Sequence, residues 1–296
     1  VGEVDLLLRE LVHVHAGLLG VFVGDASNST RPRARPLFPG PARRGGGSLD
    51  GVTDEDIWTE RVAARYDESS AAMFAPGVLG PTVDFLAARA GDGRALELAV
   101  GTGRVALPLA ARGVPVAGIE RSVPMAARLA AKPGADRVPV TIGDMTTATA
   151  PGRFRLVYLV FNGITNLMTQ DAQVACFENA ARHLEPGGAF VCEVFVPQLR
   201  RLPPGEVALP FDVSDAHLGF DRYDVAEQRL VSHHYTVEPD GSVSTGRSPH
   251  RYVWPAELDL MARIAGLRRT ERWADFTEAP FTAESTSHVS VWRTAG

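Results

Sequence analysis

The chain has 296 residues, of which 45% are hydrophobic and 22% charged, with a formal net charge of -5. That length holds one large domain or two modest ones with a substantial core, and the acid excess argues against a nucleic-acid partner, whose phosphates demand a basic surface. Cys176 and Cys192 make neither a disulfide framework nor a metal-like cluster, so a cytoplasmic enzyme without a metal site is expected.

Residues 1–50 read differently from the rest. "RPRARPLFPGPARRGGGS" is rich in Pro, Gly and Arg and buries too little apolar area to offset its ordering entropy. The stretch before it, "LLLRELVHVHAGLLGVFVG", is apolar, but Arg9 and Glu10 interrupt it and what remains is too short to span a membrane. His13 and His15 offer at most an adventitious metal pair. The expectation is a disordered or dispensable extension over 1–50, followed by a catalytic domain over 51–296.

From residue 53 the pattern is regular. "TDEDIWTERVAARYDES" has helical spacing with acids near its start, and "GPTVDFLAARAG" predicts a second helix that stops at Gly91. Apolar β-type runs then alternate with helical ones: "ALELAV", "GRVALPLAARG", "VPVAGIE", "VPMAARLAA", "VPVTIG", "FRLVYLVF", "TQDAQVACFENAARHL", "GAFVCEVFV". Strands apolar on both faces and separated by helices mean a parallel sheet covered on both sides. "EPGG", residues 185–188, reads as a turn into the fifth strand. Over residues 198–254 the rhythm changes to longer strands with polar alternation and a turn at Glu238-Pro239-Asp240-Gly241. A helix, "PAELDLMARIAG", and two closing strands follow. The predicted fold is a doubly wound, Rossmann-like α/β sheet with a closing antiparallel strand, carrying after its fifth strand an antiparallel β insertion over 198–254 that is expected to cover the acceptor pocket.

Gly101 and Gly103 follow the first core strand and open a helix, and Glu120 ends the next strand at the distance suited to holding ribose hydroxyls. An adenosine-containing ligand at that turn is expected. Gly101-x-Gly103-x-x-Ala106 satisfies a relaxed dinucleotide fingerprint, so an NAD(P)-dependent oxidoreductase competes. Glu97 opposes it: a carboxylate ahead of the glycines repels a pyrophosphate and welcomes an ammonium. The chain's single lysine, Lys132, lacks a tyrosine four residues before it and serves neither a short-chain reductase nor a phosphate-binding loop. S-adenosylmethionine, which carries an ammonium and a sulfonium and no phosphate, is the favoured cofactor.

"LELAVGTGR", "GIERSVPM", "IGDM" and "HLEPGGAFVCEVF", taken in order, resemble the class I S-adenosylmethionine-dependent methyltransferases over residues 55–295. The late insertion and the "YD" before the core resemble, within them, bacterial small-molecule enzymes of natural-product type. Scarce lysine and abundant Ala, Gly and Pro agree with a GC-rich bacterial source. Ala99 departs from the pattern, standing where the family more often has its first glycine. The resemblance implies that Glu97 and the backbone from Ala99 through Gly101 to Gly103 hold the methionine portion. Glu120 would take the ribose, Arg121 and Met125 would lie beside the adenine, and Asp144 would accept from its amino group with Met145 on the ring face. Phe161 and Asn162 would sit by the sulfonium and the acceptor, and Tyr66 would close over the cofactor.

Methyl transfer from a sulfonium is an in-line displacement that orientation and closeness largely accelerate. A hydroxyl acceptor needs a general base, whereas an amine needs only to arrive deprotonated. "SHHYT" and "PHRY" in the insertion hold the catalytic candidates His233 and His234 and the acceptor-binding candidates Tyr235 and Arg251. On a strand His233 and Tyr235 share one face and His234 takes the other. Glu193 ends the fifth strand, where ligands collect in open parallel sheets, and is the third catalytic candidate. The expected activity is methyl transfer to a small molecule, at an amine nitrogen in preference to a hydroxyl. A non-catalytic protein that binds S-adenosylmethionine is the alternative of another class, and a homodimer is compatible with either.

Overall fold

The structure, a computed structural model, describes residues 58–294. The expectations for residues 1–50 lie outside the described residues. The order is α1 (Glu60–Ser69), α2 (Pro76–Ala90), β1 (Ala95–Leu98), α3 (Ala106–Ala111), β2 (Val116–Glu120), α4 (Val123–Ala130), β3 (Val140–Ile142), β4 (Phe154–Leu159), α5 (Gln170–His183) and β5 (Leu184–Phe195). Then come β6 (Ala208–Val213), β7 (His217–Asp224), β8 (Arg229–Val237), β9 (Val243–Arg251), α6 (Pro255–Ile264), β10 (Arg268–Trp273) and β11 (Ser287–Arg293).

Seven strands form the main sheet in the order β10-β11-β5-β4-β1-β2-β3. The five central and right-hand strands are parallel, while β11 runs antiparallel to both β5 and β10. The doubly wound sheet with its closing antiparallel strand is as the sequence predicts. Alternation explains the two cores. Leu96, Leu98, Val157, Leu159, Phe190, Cys192 and Val194 point to one face, under α5 and α6. Ala95, Leu156, Tyr158, Ala189, Val191, Val289 and Val291 point to the other, under α2 and α3. Burial on both faces is why these strands read as nearly continuous apolar runs.

Two sequence expectations shift locally. The turn at 185–188 is absorbed into β5 as an irregular start, with Gly187 at φ +73 and a slip in the β4–β5 register. Helix α3 is only six residues long, because the chain is still turning through Gly103. Among the described residues, no helix is long and apolar enough to cross a membrane.

The insertion is a separate four-stranded antiparallel sheet, β6-β7-β8-β9. Glu238 to Ser242 close the β8–β9 hairpin, with the Gly241 amide donating to the Glu238 carbonyl at 2.8 Å. Its two edge strands each carry a proline, Pro210 on β6 and Pro249 on β9. On one face lie His234, Ser232, His250 and Tyr223; on the other Phe220, His233 and Tyr235 form a stack of rings. The first face meets the body: the His250 ring is 3.1 Å from the Thr165 hydroxyl, and Gln173 Nε2 donates to the Arg251 carbonyl at 3.1 Å.

Candidate active site

β1 and β4 are neighbours whose chains leave in opposite directions, which opens a cleft at their carboxyl ends. The glycine turn forms its floor. Gly101 and Gly103 lie at φ +57 and +81, a region that strains any residue with a Cβ, and a Cβ on Gly103 would also meet Leu129 at 2.9 Å. Ala99 occupies the same region at φ +53 and accepts that strain.

Glu120, at the end of β2, clamps this turn. Its carboxylate accepts from the Gly101 amide at 2.8 Å and the Ser122 amide at 2.7 Å. Burial pushes its pKa up, against those two amides, which pull it down. Glu97 is 4% exposed, and its carboxylate accepts from the Tyr158 hydroxyl at 3.0 Å across the β1–β4 register. Burial pushes Glu97 up to about 8, opposed by the Tyr158 hydrogen bond and the Arg104 charge. An empty cleft therefore holds a protonated Glu97 at neutral pH, and a cation placed beside it would draw the proton off.

Three cavities meet here. A broad one of about 340 Å³ is lined by Ala99, Ile119, Arg121, Asp144, Met145 and Leu167, among others. A narrow one of about 90 Å³ lies between Tyr66, Glu97, Gly101, Glu120, Met125 and Phe161. Trp58, Ala99 and Asn166 line both, so the two are arms of one cleft. The third, of about 430 Å³, lies under α2 and the 274–289 segment and is bordered by Glu193, Asp275, Glu284 and Arg104. Arg104 lines both the narrow cavity and this third one, 9% exposed, with its guanidinium 5.0 Å from the Phe161 ring centre.

The broad arm suits a flat apolar ring, with Met145 in its lining and the Asp144 carboxylate at its rim. One oxygen of Asp144 is already used by Thr146, whose amide and hydroxyl donate at 2.8 and 2.6 Å, and Arg121 stands 4.0 Å from the other. The narrow arm brings two carboxylates, a guanidinium and the backbone of the glycine turn to one place. That donor set suits an amino-acid moiety bearing both charges, attached to a ribose, and so fits S-adenosylmethionine.

Several sequence-derived candidates stand elsewhere. Met125 lines the narrow arm instead of the broad one, because α4 turns it under Gly101. Asn162 is 2% exposed and works as a brace: its Oδ1 accepts from the Phe195 amide at 2.8 Å, locking the end of β4 to β5. Its left-handed φ of +59, one residue after Phe161 at +56, is a conformation asparagine tolerates better than most. Arg251 is buried in an ion pair with Glu257 at 2.8 Å and a hydrogen bond to Gln173 at 2.5 Å, so it joins the insertion to α5 and α6 and lines none of these three cavities. His233 and Tyr235 stack on Phe220 on the outer face of the small sheet. His234 is on the inner face, 2% exposed, 3.1 Å from the His217 ring, which in turn meets Asp212 at 2.5 Å. Burial drives His234 down to about 4, so it stays neutral. None of the three cavities takes lining from residues 198–254. Glu193 does stand at the mouth, accepting from the Phe161 amide at 2.8 Å and bordering the third cavity.

Trp58, Arg104 and Asn166 are lining residues that the sequence reading passed over. Arg104 had a signal, as the charged residue immediately after the glycines. Trp58 had a weaker one, a large ring just before a helix start.

Comparison with known proteins agrees with this geometry. Residues 95–188 match the family model described as a methyltransferase domain. The chain is 38% identical to the CcbJ methyltransferase from Streptomyces caelestis, over 79% of this chain and 96% of that one, with a TM-score of 0.71. A cypemycin N-terminal methyltransferase from a Streptomyces species is 29% identical over 251 residues, 81% of this chain and 98% of the relative. An S-adenosylmethionine-dependent methyltransferase from Clostridium acetobutylicum shares the fold at 13% identity, over 80% of this chain and 98% of that one, with a TM-score of 0.64. The chain belongs to the class I S-adenosylmethionine-dependent methyltransferases. Within them it is an enzyme of the natural-product type, with S-adenosylmethionine as its cofactor.

Proposed function

We propose that the chain methylates an amine nitrogen of a small molecule bound in the 430 Å³ cavity. The observation that carries this reading is the charge of that cavity's border, where Glu193, Asp275 and Glu284 face a single arginine, Arg104. Arg200 offsets Glu284 in part, at 3.2 Å, and the Asp275 carboxylate accepts from Thr277. Glu193, 8% exposed at the end of β5 and accepting from the Phe161 amide, stands where the cavity approaches the narrow arm. A cationic amine is drawn to such a border, and Glu193 can take up the proton it must lose before reacting. The N-terminal methyltransferase among the relatives supports the same acceptor chemistry.

The cofactor supplies an electrophilic methyl group on a sulfonium. In this reading Glu97 receives its ammonium and Arg104 its carboxylate, Glu120 and the Gly101–Gly103 turn hold the ribose and chain, and Asp144 with Met145 holds the adenine. Tyr66 and Phe161 enclose the reacting end and exclude water. Residues 51–296 form the catalytic unit, and residues 1–50 are dispensable to it.

The test pairs each amine acceptor with its hydroxyl counterpart and locates the transferred methyl by NMR. Methylation at nitrogen is expected, with Glu193→Gln raising the KM for the amine. An acid limb of the pH profile should belong to the substrate and persist when His233 or His234 is replaced. Turnover of hydroxyl acceptors alone would overturn the proposal.

A further inference from the structure

Helix α1 and Trp58 before it cover the cofactor cleft: Tyr66 and Trp58 line it and meet edge to face, 5.8 Å between centroids. What holds this cover is specific. The Trp58 carbonyl accepts from the Ser122 hydroxyl at 3.0 Å, and Glu60 pairs with Arg128 at 3.2 Å in an exposed contact worth little. The strongest tie lies at the other end of α1. There Asp67 forms an ion pair with Lys132 and accepts from the Thr102 hydroxyl at 2.5 Å, while Lys132 Nζ donates to the Thr102 carbonyl at 2.8 Å. Thr102 sits between the two glycines of the cofactor turn and is 1% exposed. The ammonium also lies 5.5 Å from the Phe74 ring centre, on the segment that follows α1.

Three elements thus converge on one ammonium: the cover, the glycine turn, and the loop after α4. Lys132 is the only lysine in the chain. Arginine serves every other Lys or Arg position, and here one compact ammonium meets the Asp67 carboxylate and the Thr102 carbonyl together. We propose that Lys132 is a positioning residue that latches α1 over the cleft through Asp67 and the Thr102 carbonyl, and so sets how fast cofactor exchanges. The proposal rests on the cofactor site and is independent of which acceptor is methylated.

Among the residues that line the cleft the latch touches Thr102, through its hydroxyl and its carbonyl, and adjoins Tyr66, one residue before Asp67. Opening it should let α1 lift without changing the transfer geometry once the cleft refills. Lys132→Met and Asp67→Asn should each speed dissociation of S-adenosylhomocysteine about tenfold, the scale of one charge-assisted contact. Stopped-flow tryptophan fluorescence reads this, because Trp58 lies in the moving part. The KM for S-adenosylmethionine should rise in step while kcat stays within about twofold, and Lys132→Arg should restore part of the loss. In the unmodified protein an amine-reactive ester should label Lys132 more slowly once S-adenosylhomocysteine is bound, as mass mapping can locate on the sole lysine. Unchanged dissociation in Lys132→Met, or equal labelling of Lys132 with and without S-adenosylhomocysteine, would overturn the latch. If Lys132→Met fails to fold, Asp67→Asn and the labelling comparison still decide.

Discussion

Binding of cofactor should expel a proton from Glu97, and this can be measured. Burial holds Glu97 near 8 in the empty cleft, against 4.5 for a free carboxyl. At about 1.4 kcal/mol per tenfold change, that gap is an energetic penalty on the ionised form of roughly 4–5 kcal/mol. An ammonium beside the carboxylate offsets much of the penalty, so the pKa falls when cofactor binds and the proton leaves. At pH 7 a group with a pKa of 8 is about nine-tenths protonated, so close to one proton should be released per cofactor bound. Isothermal titration at pH 7 in two buffers of different ionisation enthalpy gives that number directly. Affinity should rise by up to about tenfold per pH unit between 6 and 8 and then level off. The sign for folding is the reverse. Because the native pKa lies above the unfolded one, the native protein holds the extra proton between 4.5 and 8, and the empty enzyme loses stability as pH rises through that window. Glu97→Gln should bind cofactor more weakly, release no proton, and lack this part of the slope. Net release near zero in the unmodified protein, or an equal release in Glu97→Gln, would refute the assignment.

Glu120→Ala should weaken cofactor binding by about 1.5–3 kcal/mol, and lower the melting temperature slightly, since the Gly101 and Ser122 amides lose their acceptor; calorimetry of both quantities checks it. Asn162→Ala strands the Phe195 amide and loses a residue suited to left-handed backbone, so it should cost about 1–3 kcal/mol of stability by denaturant titration. Ala99→Gly relieves φ +53 and should stabilise the empty protein by about 0.5–1 kcal/mol in the same assay, with cofactor affinity kept or improved. His233→Ala should leave turnover within about twofold, because that ring stacks on the outer face of the small sheet.

Much of the site could be read from the chain because strand ends are local. Glu97, Gly101, Gly103 and Glu120 all fall within one strand-turn-helix-strand unit, and their spacing brings them together. Arg121 follows β2 directly, and Asp144 and Met145 follow from the next crossover, since each parallel strand ends on the same edge of the sheet. Residues of the insertion are different. Alternation correctly sets His233 and Tyr235 against His234, but the sheet's placement depends on tertiary contacts such as Arg251 with Glu257 and His250 with Thr165. No periodicity within residues 198–254 encodes those contacts. Asn162 is ambiguous for a related reason: a polar residue at a strand end can face the ligand or brace the backbone, and its bond to the Phe195 amide depends on the neighbouring strand. Lys132 stands out in the sequence as a lone lysine, yet its use depends on Asp67 and Thr102, residues 65 and 30 positions away.

The prolines at the rims of the small sheet bear on what can come to it. An extended polypeptide commonly recognises a sheet by adding itself as one more strand, which requires an uninterrupted row of outward amides. Pro210 removes one such donor from β6 and Pro249 one from β9, and these are the only two edges of that sheet. Neither border can be extended continuously, by a second copy or by a peptide acceptor. A molecule that engages this wing must meet it through side chains or through its faces.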